Sequence, residues 1–157
     1  MNKEEMAGHS ACPCGSRLQL EECCLPRISG QAPAGSAEAL MRSRYTAYVL
    51  GRADYLAASW HPSTRPPQLS VSGDIEWSGL EVLACQSGSA TDSRGRVEFI
   101  ARYRQQGRSG QVHENSRFVQ EQGRWFYLDG DLKTVVSGRN APCTCGSGKK
   151  FKKCCGK

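Results

Sequence analysis

The spacing of apolar residues changes once along this chain. In SAEALMRSRYTAYVL (36–50), Leu40, Met41, Tyr45, Tyr48 and Val49 recur with the 3.6-residue period of a helix that buries one face. Ser36 stands where an N-cap belongs, and Gly51 where a left-handed residue ends a helix. A second, shorter helix is expected over 53–60 (ADYLAASW), stopping ahead of His61-Pro62. The proline-bearing residues 63–72 read as loop. From residue 74 the period becomes two. The segments 74–86, 96–106, 111–122 and 124–130 are strand candidates, and Gly107, Gly110 and Gly123 mark hairpins between the last three. Pairing Arg104 with Gln111 sets Tyr103 opposite Val112, Ala101 opposite Glu114, Phe99 opposite Ser116 and Val97 opposite Phe118. Glu114 and Ser116 then share a face with the apolar set. Helices followed by an antiparallel meander predict an α+β fold.

Before and after this middle part come two segments with almost no apolar content. CPCGSRLQLEECC (12–24) and CTCGSGKKFKKCC (143–155) share one cysteine spacing, C-x-C-x(8)-C-C. The chain thus divides into an N-terminal cysteine segment (10–27), a linker of small residues (28–35), the middle part (36–135) and a C-terminal cysteine segment (138–157). Tight C-x-C and C-C pairs bring four thiolates together, the ligand set of a tetrahedral metal site, with Gly15 and Gly146 free to take a positive φ after the first pair. Cys12, Cys14, Cys23 and Cys24 form one expected site, and Cys143, Cys145, Cys154 and Cys155 the other. So few apolar side chains cannot order such a segment, whereas a structural zinc contributes roughly 10–16 kcal/mol. Zinc, two ions per chain, is expected, and iron suits four thiolates as well. Disulfides or unstructured thiols are the alternative. With no apolar leader in MNKEEMAGHSAC and no long apolar run, a reducing cytoplasmic setting is expected, which favours metal. Cys85, the ninth cysteine, reads as a small core residue.

Charge separates the two cysteine segments. The net +6 of the 157-residue chain resides in residues 138–157, which hold six basic residues and no acid. Where the N-terminal copy has Glu21 and Glu22, the C-terminal copy has Lys152 and Lys153. Lys149, Lys150, Phe151, Lys152 and Lys153 are therefore the expected contact residues for an acidic partner, whether a protein surface, anionic lipid or RNA.

CTCGSGKKFKKCC resembles the SEC-C motif, the metal-binding segment at the C-terminus of the SecA translocation ATPase, with Cys154-Cys155 in place of that protein's final Cys-His. The ordered series CPCGS, EALMRSRYTAYVLGRADYLAASWHP, HENSRF and RWFYLDG with the closing SEC-C tail resembles the bacterial YchJ-like family. That resemblance covers nearly the whole chain. It implies a middle domain like nuclear transport factor 2, a cone of curved antiparallel sheet wrapped by helices. It also implies zinc and docking, to a secretion chaperone, a ribosome or a membrane surface. An adaptor or interaction protein is the leading expectation. The alternative is a small-molecule-binding or enzymatic cone, for which Glu114, His61, Arg117 and Asp129 are the weak catalytic candidates, with Arg117 or Arg102 as a structural partner for Glu114. A metal-storing or redox role for the eight thiols is a third reading.

Overall fold

A computed structural model of the chain describes residues 11–69, 71 and 73–133. The expected sites at Cys143, Cys145, Cys154, Cys155, Lys149, Lys150, Phe151, Lys152 and Lys153 lie outside the described residues. A cysteine-bearing loop comes first, with a single 3-10 turn at Leu20–Glu22, and runs into helix α1 (Leu25–Ile28). Helices α2 (Ala37–Leu50) and α3 (Ala53–Ala58) follow. Strands β1 (Ile75–Ser87), β2 (Arg94–Gln105), β3 (Arg108–Glu121) and β4 (Arg124–Leu132) then pair in sequence order as one antiparallel meander. Among the described residues no helix is long and apolar enough to cross a membrane.

Helix α2 forms where its period and end signals predict. Ser36 is extended and its side chain accepts from the Ala39 N–H at 3.1 Å, while Gly51 closes the helix at φ 75°. Helix α3 ends two residues short of the expected Trp60. The Ser59 hydroxyl bonds the Tyr55 carbonyl at 2.7 Å, and Trp60 leaves the helix to make a parallel bridge with Tyr127 of β4.

The β2–β3 hairpin is tighter than expected. Gln106 and Gly107 alone form the loop, with φ of 52° and 78°. A two-residue turn with positive φ at both positions matches the twist of the flanking strands. The register therefore moves by two from the Arg104–Gln111 pairing. Arg104 meets Ser109, Ala101 meets Val112, Phe99 meets Glu114 and Val97 meets Ser116. A shift of two keeps every side chain on its face, so Glu114 and Ser116 do share the inner face with Val97, Phe99 and Ala101. Gly110 is a strand residue, not a turn residue. It lies opposite Tyr103, whose ring covers it so closely that a Cβ there would meet ring atoms at 2.7 Å.

Register shifts in β1 at Trp77/Gly79 and Val82/Ala84, and between β3 and β4 at Arg117/Phe118, bend the sheet around the helices. Trp77 is the aromatic junction, in ring contact with Tyr45 and Tyr48 of α2 at 5.9 and 5.8 Å and with Tyr103 of β2 at 5.6 Å. Phe118, Val97 and Leu56, the last on α3, are wholly buried. Cys85 is not in this core. β1 is an edge strand whose last five residues are exposed, and the Cys85 thiol faces the Glu38 carboxylate at 3.6 Å. Partial desolvation first, and Glu38 second, push that thiol up, which makes it a poor nucleophile.

Gly110→Ala is expected to destabilise the fold by about 1–3 kcal/mol, the usual cost of overpacking, because the Tyr103 ring must move. Chemical denaturation of the variant, alone and combined with Tyr103→Ala, checks this. The second change should relieve most of the strain.

Candidate metal centre

Four sulfurs converge at the N-terminal end. Cys12 and Cys14 sit on a tight turn in which the Gly15 N–H donates to the Cys12 carbonyl at 3.2 Å, with Gly15 at φ 79°. The Cys12 N–H donates to the Leu18 carbonyl at 2.8 Å, and Ala11 bridges Gln19, so the loop returns on itself. The 3-10 turn then delivers Cys23, and Cys24 follows as the N-cap of α1. All four side chains are buried and their Sγ atoms lie within 4.8 Å of one another. Cys14–Cys23 is 3.6 Å and Cys23–Cys24 is 3.8 Å. A tetrahedron of sulfurs around a metal at ~2.3 Å has edges of about 3.8 Å, so the donor set fits one metal ion. All five described cysteines are free thiols rather than disulfides.

The cluster is not electrically indifferent. Thiol donation from Cys12 and Cys24 holds Cys14 far below the ordinary thiol range. Cys12 is pushed up, first by its bond to Cys14, and Cys24 is pushed up by Cys12, then Cys14, then burial. Packed this closely, one thiolate suppresses the ionisation of its neighbours. Only a cation lets all four ionise together.

The surroundings orient the ligands. Ser16 Oγ lies 3.1 Å from Cys23 Sγ, and Thr46 Oγ1 of α2 lies 3.6 Å from Cys12 Sγ. Arg42 of α2 donates to the Cys14 carbonyl at 2.7 Å and Arg27 of α1 to the Cys23 carbonyl at 2.6 Å. Two guanidinium groups thus brace the backbone of two of the four cysteines, beside a cluster that would be anionic when loaded. As expected, the segment has no core of its own: Leu18 is 51% exposed. What the sequence did not reveal is that Leu20, 1% exposed, and the four cysteines join the same buried cluster as Leu40, Tyr45 and Phe99. The knuckle is seated on the middle domain.

The weak catalytic candidates do not converge on one site. Glu114 Oε1 accepts from Tyr127 Oη at 2.7 Å and Ser116 Oγ at 2.8 Å, and Gly130 lies directly beneath the carboxylate. Neither arginine expected to pair with it does so, because both lie on the opposite face of the sheet. Arg117 pairs with Asp129 and Asp131, and Arg102 with Glu81 at 3.0 Å. His61 Nε2 meets Glu121 Oε2 at 2.6 Å, and its Nδ1 meets Ser63 Oγ at 2.7 Å. Glu121 is seven residues from Glu114 along β3, about 23 Å at the rise of a strand, and has the opposite parity.

Arg44 was missed by sequence reasoning. It is 5% exposed and donates through Nη1 to the Leu56 carbonyl at 2.8 Å and to Ser59 Oγ at 2.7 Å. Its guanidinium lies 4.6 Å from the Tyr127 ring centre and 5.1 Å from that of Trp60. Burial pushes its pKa down, against the pull of Tyr48, Tyr127, Tyr55 and Glu114. The signal was available: Arg44 falls midway between Leu40 and Tyr48 on the apolar stripe.

Comparison with known proteins gives two family matches: the YchJ middle NTF2-like domain over residues 36–130 and the SEC-C motif over residues 139–157. The solution structure of a SEC-C motif containing protein from Rhodopseudomonas palustris is similar at 35% identity and TM-score 0.72, covering 80% of this chain and 100% of that one. The crystal structure of a SEC-C motif containing protein from Psychrobacter arcticus is similar at 30% identity and TM-score 0.67, covering 96% of this chain and 98% of that one.

Because the sulfurs belong to the common core, Cys24→Ser is expected to lower the stability of the whole domain by more than about 2 kcal/mol, the scale of losing a metal ligand. Thermal unfolding followed by tryptophan fluorescence checks this. A local loss confined to residues 11–28 would leave that transition unmoved.

Proposed function

Since this chain belongs to the YchJ-like family, we propose that it is a zinc-binding adaptor: one metal knuckle holds the middle domain together and the other docks an acidic surface. The observation that carries the proposal is the set of four buried sulfurs at tetrahedral spacing, in a segment whose cysteine pattern recurs at residues 143–155. Zinc is proposed over iron because the resemblance to the SEC-C motif implies it; four thiolates by themselves suit either metal. Two ions per chain follow if the repeated spacing has the same use.

The docking role rests on charge. Four thiolates with a divalent metal carry two negative charges, which leaves residues 138–157 with a clear positive excess. Each lysine near an anionic surface contributes on the order of 1 kcal/mol. An acidic protein surface such as a secretion chaperone or the ribosome is the proposed partner class, in the cytoplasm. Anionic lipid and RNA are the competing outcomes of the test. No catalytic role is proposed for Glu114 or His61: the first is held by a tyrosine and a serine hydroxyl, the second by an exposed glutamate.

Two measurements test this. Elemental analysis of protein purified under reducing conditions should give about two zinc ions per chain, released as acid protonates the thiolates. Replacing Lys149, Lys150, Lys152 and Lys153 together by Gln should leave the metal content unchanged and abolish capture of the acidic partner. Less than one metal per chain sinks the first part, and unchanged capture sinks the second.

A further inference from the structure

Along β2 and β3, Arg94, Arg96, Arg117 and Val119 alternate with the buried Gly95, Val97, Ser116 and Phe118, and so belong to the other face of the sheet. A depression of about 240 Å³ opens there. It forms at a register break: Arg117 pairs with Asp129 and Phe118 with Tyr127, which leaves Leu128 unopposed. Val119 and Leu128 supply apolar lining. Arg94, Arg96 and Arg117 line it too, and no acidic residue does.

The three arginines differ in how their charge is answered. Arg117 is held by Asp129 and Asp131. Arg94 and Arg96 are exposed, and neither makes a hydrogen bond or ion pair among the described residues. Two positions apart on one strand face, they stand about 7 Å from each other. Arg96 also lies directly opposite Arg117, a like-charge pairing that disfavours the sheet unless an anion answers it. The acids on this face are committed elsewhere. Glu98 accepts from His113 at 3.1 Å and Lys133 at 2.7 Å, and Glu121 pairs with His61. Asp131 feels the field of Arg96, but both its oxygens accept from Arg117, at 2.8 and 3.4 Å.

We propose that this depression binds a small organic anion, with an oxyanion head between Arg94 and Arg96 and a compact apolar body over Val119 and Leu128. A guanidinium matches the geometry of a carboxylate or phosphate head, and both heads reach exposed donors here. The volume falls below the roughly 300–1,000 Å³ of drug-sized sites, so the body is no larger than a single ring or a branched chain. A neutral ligand leaves the two arginines unanswered, and a bare inorganic ion leaves the apolar lining wet. The proposal does not depend on the docking role of the C-terminal segment.

The test uses the full-length, metal-loaded protein labelled with nitrogen-15 and follows the backbone amide signals of Gly95 and Val119. The probes are benzoate, phenyl phosphate, the neutral benzyl alcohol and inorganic phosphate. The signals should shift saturably with the two organic anions. The alcohol should bind at least about tenfold more weakly, the scale of one charge-assisted hydrogen bond. Inorganic phosphate should bind more weakly than phenyl phosphate. Whichever organic anion binds tighter supports the site and names its head group. Arg94→Gln with Arg96→Gln should weaken both organic anions at least about tenfold. The charge-matched pair Arg104→Gln with Arg108→Gln, at the other end of the same two strands, should keep wild-type affinity. All four side chains are exposed, so both variants leave the core intact. Absence of saturation, equal affinity for the alcohol or for inorganic phosphate, wild-type affinity in the first variant, or an equal loss in the second overturns the proposal.

Discussion

Helix α2 has to satisfy the four-sulfur cluster and the sheet at the same time. Along its cluster-facing side, Arg42 and Thr46 meet the Cys14 carbonyl and the Cys12 thiol. Tyr45 and Tyr48 reach Trp77 of β1, and Arg44 reaches across to α3 and β4. A fourteen-residue helix with so many obligations has little freedom to shift. The cysteine loop is therefore more than an appendage. Buried thiols that could ionise only one at a time would be a poor core, whereas a cation balancing all four makes the same atoms a rigid one. The stability of the middle domain and the charge state of the sulfurs are linked through this one helix.

The second constraint is the buried charge of Arg44. A guanidinium taken out of water costs several kcal/mol unless its hydrogens and field are answered. Here, among the described residues, no carboxylate touches it. A carbonyl, a serine hydroxyl and two aromatic faces answer it instead. Glu114 contributes only from a distance, since its own oxygen is taken by Tyr127 and Ser116. Tyr127 stands between the two, presenting its ring to the arginine and its hydroxyl to the glutamate. This arrangement binds α2, α3, β3 and β4 without a direct ion pair. It explains why a glutamate on an apolar face is compatible with a structural role.

Local signals carried most of the backbone. Ser36, Gly51 and the apolar period defined α2, and the change of period announced the meander. Failures came where a distant partner decided the outcome. Gly110 looked like turn chemistry, but its lack of a side chain serves the Tyr103 ring across the strand, so the register was off by two. Cys85 reads as core beside Leu83 and Ala84, yet no periodicity reveals that β1 is an edge strand whose last five residues are exposed. The four clustered cysteines were legible because their spacing is a local property. Their burial against Thr46 and Tyr45 was not, because nothing in residues 12–24 encodes the surface they sit on.

One cysteine spacing used twice in a chain invites the idea of one function used twice, and the charges argue against it. In the N-terminal copy the residues before the last cysteine pair are Glu21 and Glu22, both exposed, and the sulfurs face inward to α2. Acidic side chains there add to the negative charge of a loaded thiolate site, and Arg27 and Arg42 from neighbouring helices offset it. In the C-terminal copy the offset is built into the segment itself, by four lysines in five residues. A knuckle that draws its counter-charge from the domain is tied to that domain. One that carries a surplus of its own has charge left for another surface. Under the proposed adaptor role, the same cysteine spacing suits fixation at one end of the chain and recruitment at the other.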